Sequence, residues 1–205
     1  MIELLRQLAP IGLVLPDALL AELRAAYATP GRAYHTWQHV EDVALHYTQV
    51  ARDIGWRAPN EVFVAILYHD AVYVPGGKTN EAESAVLTRS AVRRFSLETV
   101  LDMGRIERLI HLTARHGSLS VADVDRDEAL FLDCDMAILA AAPATFDAYE
   151  RGIATEYSFL PVAEYAAGRR AFLARVLRAE RIFLSRYFHD ALDAPARANL
   201  ARALG

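Results

Sequence analysis

Apolar side chains recur along this chain at steps of three and four, the period of a helix that turns one face to a core. Between positions 36 and 54, Trp37, Val40, Ala44, Tyr47, Ala51 and Ile54 make one such stripe. The same pattern predicts helices over 16–28, 61–72, 80–94 and 105–115, then over 125–142, 143–157, 162–180 and 181–190. A last short helix is expected from Pro195. The breaks between them are brief: Pro30-Gly31, Gly55 to Pro59, Pro75-Gly76-Gly77 and Gly117-Ser118. Asn80 with Glu83 reads as a capping pair after the Gly-Gly-Lys turn. No segment alternates as a strand should, although 71–74 is locally β-prone. The expectation is an all-α helical bundle in a single domain, 1–205.

Composition adds little to this picture. A chain of 205 residues, 54% hydrophobic and 23% charged, can bury a sizeable core. Its formal net charge of -4 gives no electrostatic case for nucleic acid as the main partner, while leaving room for a local phosphate pocket. Cys134 is the single cysteine, so no internal disulfide forms and a reducing compartment suits the chain. The apolar run at 11–15, with a proline on each side, is too short for a membrane span, and the features of a signal peptide are missing around it. A cytoplasmic protein away from the membrane is the expectation. The oligomeric state stays open, a homodimer included.

Candidate chemistry lies where ionisable residues interrupt apolar stripes, because a buried charge needs a partner, a proton or a metal. His35 and His39 are spaced i, i+4 and point from one helical face; they are either two ligands or two half-buried rings at a helix start. The run from Glu61 to Tyr68 is apolar enough to be buried, and it carries His69-Asp70 inward with it. Adjacent residues on a helix stand about 100° apart, so the pair can approach one ion from two sides. The alternative is a helix end closed by a His-Asp salt bridge. In 125–142, Asp135 shares a face with Phe131, Ile138, Leu139 and Ala142 and needs a cation there. Asp133 is turned roughly 200° away from it. Arg169 is the expected partner of Asp135 if no metal is bound.

The order His39, His69-Asp70, Asp135 on separate helices resembles the HD-domain superfamily. His39-Val-Glu-Asp-Val43-Ala44 matches the context of that family's first ligand. More narrowly, the chain is similar to predicted metal-dependent HD phosphohydrolases, through Tyr34 to His39, His69 to Tyr73, Asn80-Glu81 with Ser84, and Thr113 with His116. Phe131 to Asp135, Glu156-Tyr157 and Tyr165 to Arg169 continue the likeness, which spans about 26–200. It implies an HD-type bundle with its metal core over about 26–142 and the helices of 143–205 set against it.

The resemblance further implies a divalent ion (Mn, Mg, Zn, Ni, Co or Fe) held by His39, His69, Asp70 and Asp135. That ion activates water against a nucleotide or a small phosphorylated metabolite. Asp70 would be ligand and water orienter, and Glu81 an acid/base or simply a first-turn glutamate matched to the helix dipole. Lys78 and Arg169 are the candidate phosphate contacts, although Gly76-Gly77-Lys78 lacks the spacing of a P-loop. His35 and His116 are candidates for a second ion or for substrate, with His116 better placed than His111. Two rivals remain open at this stage: a di-iron oxygenase on the same scaffold, and a regulatory protein that binds metal or nucleotide without turnover.

Overall fold

A computed structural model describes residues 2–205, the side chains from Glu3 onward. Apart from turns and loops, the regular elements of the described residues are all helices, with no strand among them. They fall into two compact units, one ending at Ala114 and one starting at Arg115, a boundary inside the 26–142 core that the resemblance implies. Among the described residues no single helix is long and apolar enough to cross a membrane.

The first unit contains α1 (Ile2–Leu8), α2 (Asp17–Ala26), α3 (Trp37–Asp53), α4 (Pro59–Tyr68), α5 (Asn80–Arg94) and α6 (Met103–Thr113). Its centre is α4, where every residue from Val62 to Tyr68 is buried. A helix apolar on all sides must be enclosed, and α3, α5 and α6 pack around it. Facing it from α3 are Val40, Val43, Ala44, Tyr47 and Val50, and from α6 Ile106, Leu109 and Ile110, all buried. Of the stripe read from the sequence, Trp37, Val40, Ala44 and Tyr47 are buried on α3, while Ala51 and Ile54 are exposed at its end, where Val50 takes the inward place.

One local expectation holds and one changes. The β-prone stretch at 71–74 forms no strand, and side chains of α5 take up its backbone amides at Val72 and Val74. Asn80 accepts from the Val74 amide at 3.0 Å and donates to the Val74 carbonyl at 2.9 Å. Asn80 is thus a loop clasp, and its expected capping partnership with Glu83 is not made; Glu83 instead accepts from Thr79 Oγ1 at 2.7 Å. The clasp leaves no room at Gly77, where a Cβ would stand 2.7 Å from Asn80 Oδ1 and 2.9 Å from the Val74 oxygen. Gly77→Ala is expected to lower stability by about 1–3 kcal/mol. Urea unfolding of Gly77→Ala alone and combined with Asn80→Ala checks this, since the second change removes the nearer obstacle and should make the costs less than additive.

The second unit contains a short 3-10 turn at Val121–Asp123, α7 (Arg126–Met136), a second 3-10 turn at Ala137–Ala140, α8 (Pro143–Glu156), α9 (Val162–Arg178) and α10 (Arg186–Leu204). Asp125 and Glu128 form a capping box at the start of α7, each side chain accepting from the other's backbone amide. Leu130, Phe131, Phe146, Leu173, Val176, Phe183 and Phe188 fill the core. Cys134 lies among them, 1% exposed, and burial pushes its thiol pKa well above the ordinary value. The helix expected over 181–190 starts later, at Arg186, and runs through Pro195 to Leu204. At its far end Asn199 donates to the carbonyls of Leu139 (2.9 Å) and Ala141 (2.8 Å), closing the end of the second 3-10 turn.

Candidate metal centre

The buried run of α4 delivers His69 to a fully enclosed position, 1% exposed, as the residue that ends the helix. His69 Nδ1–H donates to the Ile66 carbonyl at 2.9 Å. A carbonyl only accepts, so this bond assigns a proton to Nδ1 and makes Nε2 of the neutral ring an acceptor. On α3, one turn after the Thr36 cap, His39 is 3% exposed and brings its Nε2 to 3.1 Å from His69 Nε2. Asp70 Oδ2 lies 3.2 Å from His69 Nε2 and 3.7 Å from His39 Nε2.

Three atoms with ligand lone pairs thus converge within 4.8 Å of one another. Ligands about 2.0–2.2 Å from a shared ion stand roughly 2.9–3.6 Å apart at tetrahedral or octahedral angles. The separations of 3.1 and 3.2 Å fall within that range, and that of 3.7 Å lies just beyond it. The donor set of two imidazoles and a carboxylate suits a borderline or hard divalent cation. The residues present fit the ion that the resemblance implies.

The surroundings fix these ligands from several directions. His35 Nε2 is 3.9 Å from Asp70 Oδ2, at the rim, with its ring 4.1 Å from that of Tyr73. Tyr34 covers His39 with a centroid separation of 4.9 Å. Ser84 Oγ on α5 accepts from the Val72 amide at 3.0 Å and so holds the turn after Asp70. From the loop before α3, Arg32 donates to the carbonyls of His35 (2.7 Å), Asp70 (2.9 Å) and Ala71 (3.0 Å). Periodicity gives no hint of Arg32, since it lies in an irregular loop. Its place straight after Pro30-Gly31 and three residues before His35 is the only signal the sequence offers.

The other candidates are distributed as follows. Lys78 is exposed, and Glu81 is half-buried in the first turn of α5. Asp135 and His116 belong to the second unit, where His116 Nε2 and Asp135 Oδ2 are 2.8 Å apart. His111 is exposed on α6. Arg169 donates to Glu150 through Nε (3.2 Å) and Nη2 (2.5 Å), so its carboxylate partner is Glu150 and neither Glu156 nor Asp135. Its guanidinium also lies 5.0 Å from each of the Tyr149 and Phe172 ring centres. Arg169 and Glu150 line an open groove of about 540 Å³ with Arg151, Tyr165 and Arg170.

The role of Asp133 was not apparent from its helix alone. It is the more buried of the two aspartates, at 1% exposure, and accepts from the amides of Leu184 and Ser185 at 2.7 Å each. Burial pushes its carboxyl up to about 7 against the pull of those donors.

Fold and site together define an all-helical protein whose first unit carries a two-histidine, one-carboxylate cluster with metal-ligand spacing. No family model, curated protein or solved structure matches the chain.

Proposed function

We propose that the chain is a metal-dependent phosphohydrolase of the HD kind, acting in the cytoplasm on a phosphate ester such as a nucleotide or a small phosphorylated metabolite. The observation that carries this reading is the convergence of His39 Nε2, His69 Nε2 and Asp70 Oδ2 with one imidazole tautomer already assigned. A buried cluster of two imidazoles and a carboxylate needs a cation or a proton among its members. The fourth ligand that the resemblance implies, Asp135, belongs to the second unit, and the reading rests on the first unit's three.

A divalent ion at this place would supply Lewis-acid polarisation of a phosphoryl oxygen and a lowered pKa for its water. The chain's own groups do the rest. Asp70 is half-buried, so its carboxylate meets both the buried histidines and the rim. Its Oδ1 accepts a proton from attacking water while Oδ2 faces the histidines. The Ile66 carbonyl keeps the His69 ring in its orientation, and the Tyr34 and Tyr73 rings pack against the His35 ring. His35 then stands where it can donate a hydrogen bond to a phosphate oxygen at the rim.

Elemental analysis of the purified protein beside Asp70→Ala, followed by a panel of phosphate esters, tests the proposal. Stoichiometric divalent metal in the wild type, its loss in the variant, and phosphate release abolished by a chelator are the expected results. Full metal occupancy in Asp70→Ala would overturn the site. Two iron atoms per chain without phosphate release would replace the hydrolase with the oxygenase reading, and metal with no turnover of any ester would leave a binding protein.

A further inference from the structure

We infer that Arg32, through its hold on the backbone of the ligand-bearing segments, is the positioning residue that sets the metal affinity of the centre; the inference rests on the metal reading above. Arg32 lies in the loop between α2 and α3, a stretch with no regular backbone bonding of its own. Its guanidinium is spread over two segments that are remote in sequence. Nε donates to Thr29 Oγ1 at 2.8 Å and Nη1 to the His35 carbonyl at 2.7 Å, both three residues away. Nη1 also reaches the Asp70 carbonyl at 2.9 Å, and Nη2 reaches that of Ala71 at 3.0 Å, 38 and 39 residues away.

The accepting carbonyls occupy telling places. Those of Asp70 and Ala71 lie just past the end of α4, where backbone oxygens have no partner within the helix and the helix dipole favours a cation. That of His35 lies immediately before Thr36, the residue that caps α3. One planar group therefore joins the end of the helix that presents His69 and Asp70 to the start of the helix that presents His39. Two rings pack against the guanidinium, with Cζ 5.0 Å from the Tyr27 ring centre and 5.4 Å from that of Tyr73. Tyr27 adds a parallel tie, its hydroxyl donating to the Leu67 carbonyl at 3.1 Å.

Ligand atoms must be held within about 0.5 Å of their working positions to keep affinity. His39 is separated from His69 by 30 residues, so packing of α3 on α4 and the Arg32 tie set their distance. Lysine cannot replace arginine here. Its ammonium is a point with three donors, whereas the three carbonyls are met by a planar fork. Arg32 thus acts on the backbone of the ligand-bearing segments, and its loss spreads the ligands without removing one.

The test is isothermal titration of Mn²⁺ into the full-length wild type and into Arg32→Lys and Arg32→Ala, with circular dichroism to confirm the fold. Both variants are expected to bind Mn²⁺ about 10- to 100-fold more weakly, the usual effect of removing a group that orients a ligand. Millimolar methylguanidinium should restore affinity to Arg32→Ala and leave Asp70→Ala unchanged. A control with a merely structural defect is Trp56→Phe, which loses the bond to the Tyr47 carbonyl on α3 and should melt earlier with an unaltered Kd. Arg32 variants with wild-type Kd would overturn this inference alone, as would a loss of affinity shared in full by Trp56→Phe. A wild type that binds no Mn²⁺, Ni²⁺ or Zn²⁺ overturns the metal reading itself. If Arg32→Ala does not fold, Arg32→Lys decides, because it keeps the charge and loses only the fork.

Discussion

Asp133→Ala is expected to destabilise the second unit by about 2–4 kcal/mol and to lower its melting temperature on the order of 10 °C. The carboxylate accepts the amides of Leu184 and Ser185 at 2.7 Å, and both stand just before α10. Ser185 is the cap of that helix, its own side chain accepting from the Phe188 amide at 3.2 Å. Asp133 therefore fixes the backbone from which α10 starts. Alanine leaves two inward-facing N–H groups with no acceptor, each worth about 1–3 kcal/mol. Part of that loss is returned, because burying the carboxyl is itself unfavourable, as its raised pKa shows. Asparagine is expected to rescue poorly, since it keeps one acceptor oxygen and turns an NH₂ donor toward the second amide. Urea unfolding of the three chains, followed by circular dichroism, checks both points; a midpoint unchanged in Asp133→Ala would remove the tie from the account.

Divalent metal is expected to stabilise the first unit by about 2.7 kcal/mol when its free concentration is a hundred times Kd. The effect should disappear in His69→Ala. The reasoning concerns the metal-free state as much as the loaded one. With the His69 proton committed to the Ile66 carbonyl, Nε2 of the neutral ring is an acceptor, 3.1 Å from His39 Nε2 and 3.2 Å from Asp70 Oδ2. A cation among these three atoms would gain three attractive contacts, and the unfolded chain has no preformed site to compete. Thermal melts with and without Mn²⁺, each variant compared with itself, separate this gain from any packing lost with the ring. An equal shift in His69→Ala would mean that the ion binds elsewhere.

These residues show how far the sequence alone reaches. Where one helix face decides the matter, the pattern is legible: α3 lies within one residue of its expected ends, and α5 coincides with 80–94. His69 and Asp70 were visible because the apolar run before them had to be buried. The pattern fails where a distant segment intervenes. Asp133 and Asp135 are two residues apart on α7, and a single helix wheel assigns the inward place to Asp135. It is the 184–185 segment, remote in sequence, that gives Asp133 its donors and its burial. Arg32 is hidden for the same reason, with acceptors 38 and 39 residues away. Pro195 misled in the opposite direction. It suggests a new helix start, yet α10 passes through it, because a proline forfeits one backbone bond and the buried Ala196, Asn199 and Leu200 beyond it hold the helix in place.

The depth of Cys134 has a practical consequence. Alkylating reagents react with a thiolate, and this one is both sealed in the core of the second unit and kept protonated by its surroundings. The folded chain is therefore expected to be slow toward such reagents, and its rate of labelling reports openings that expose the core around α7. Because the chain has no other thiol, that clock needs no engineered probe.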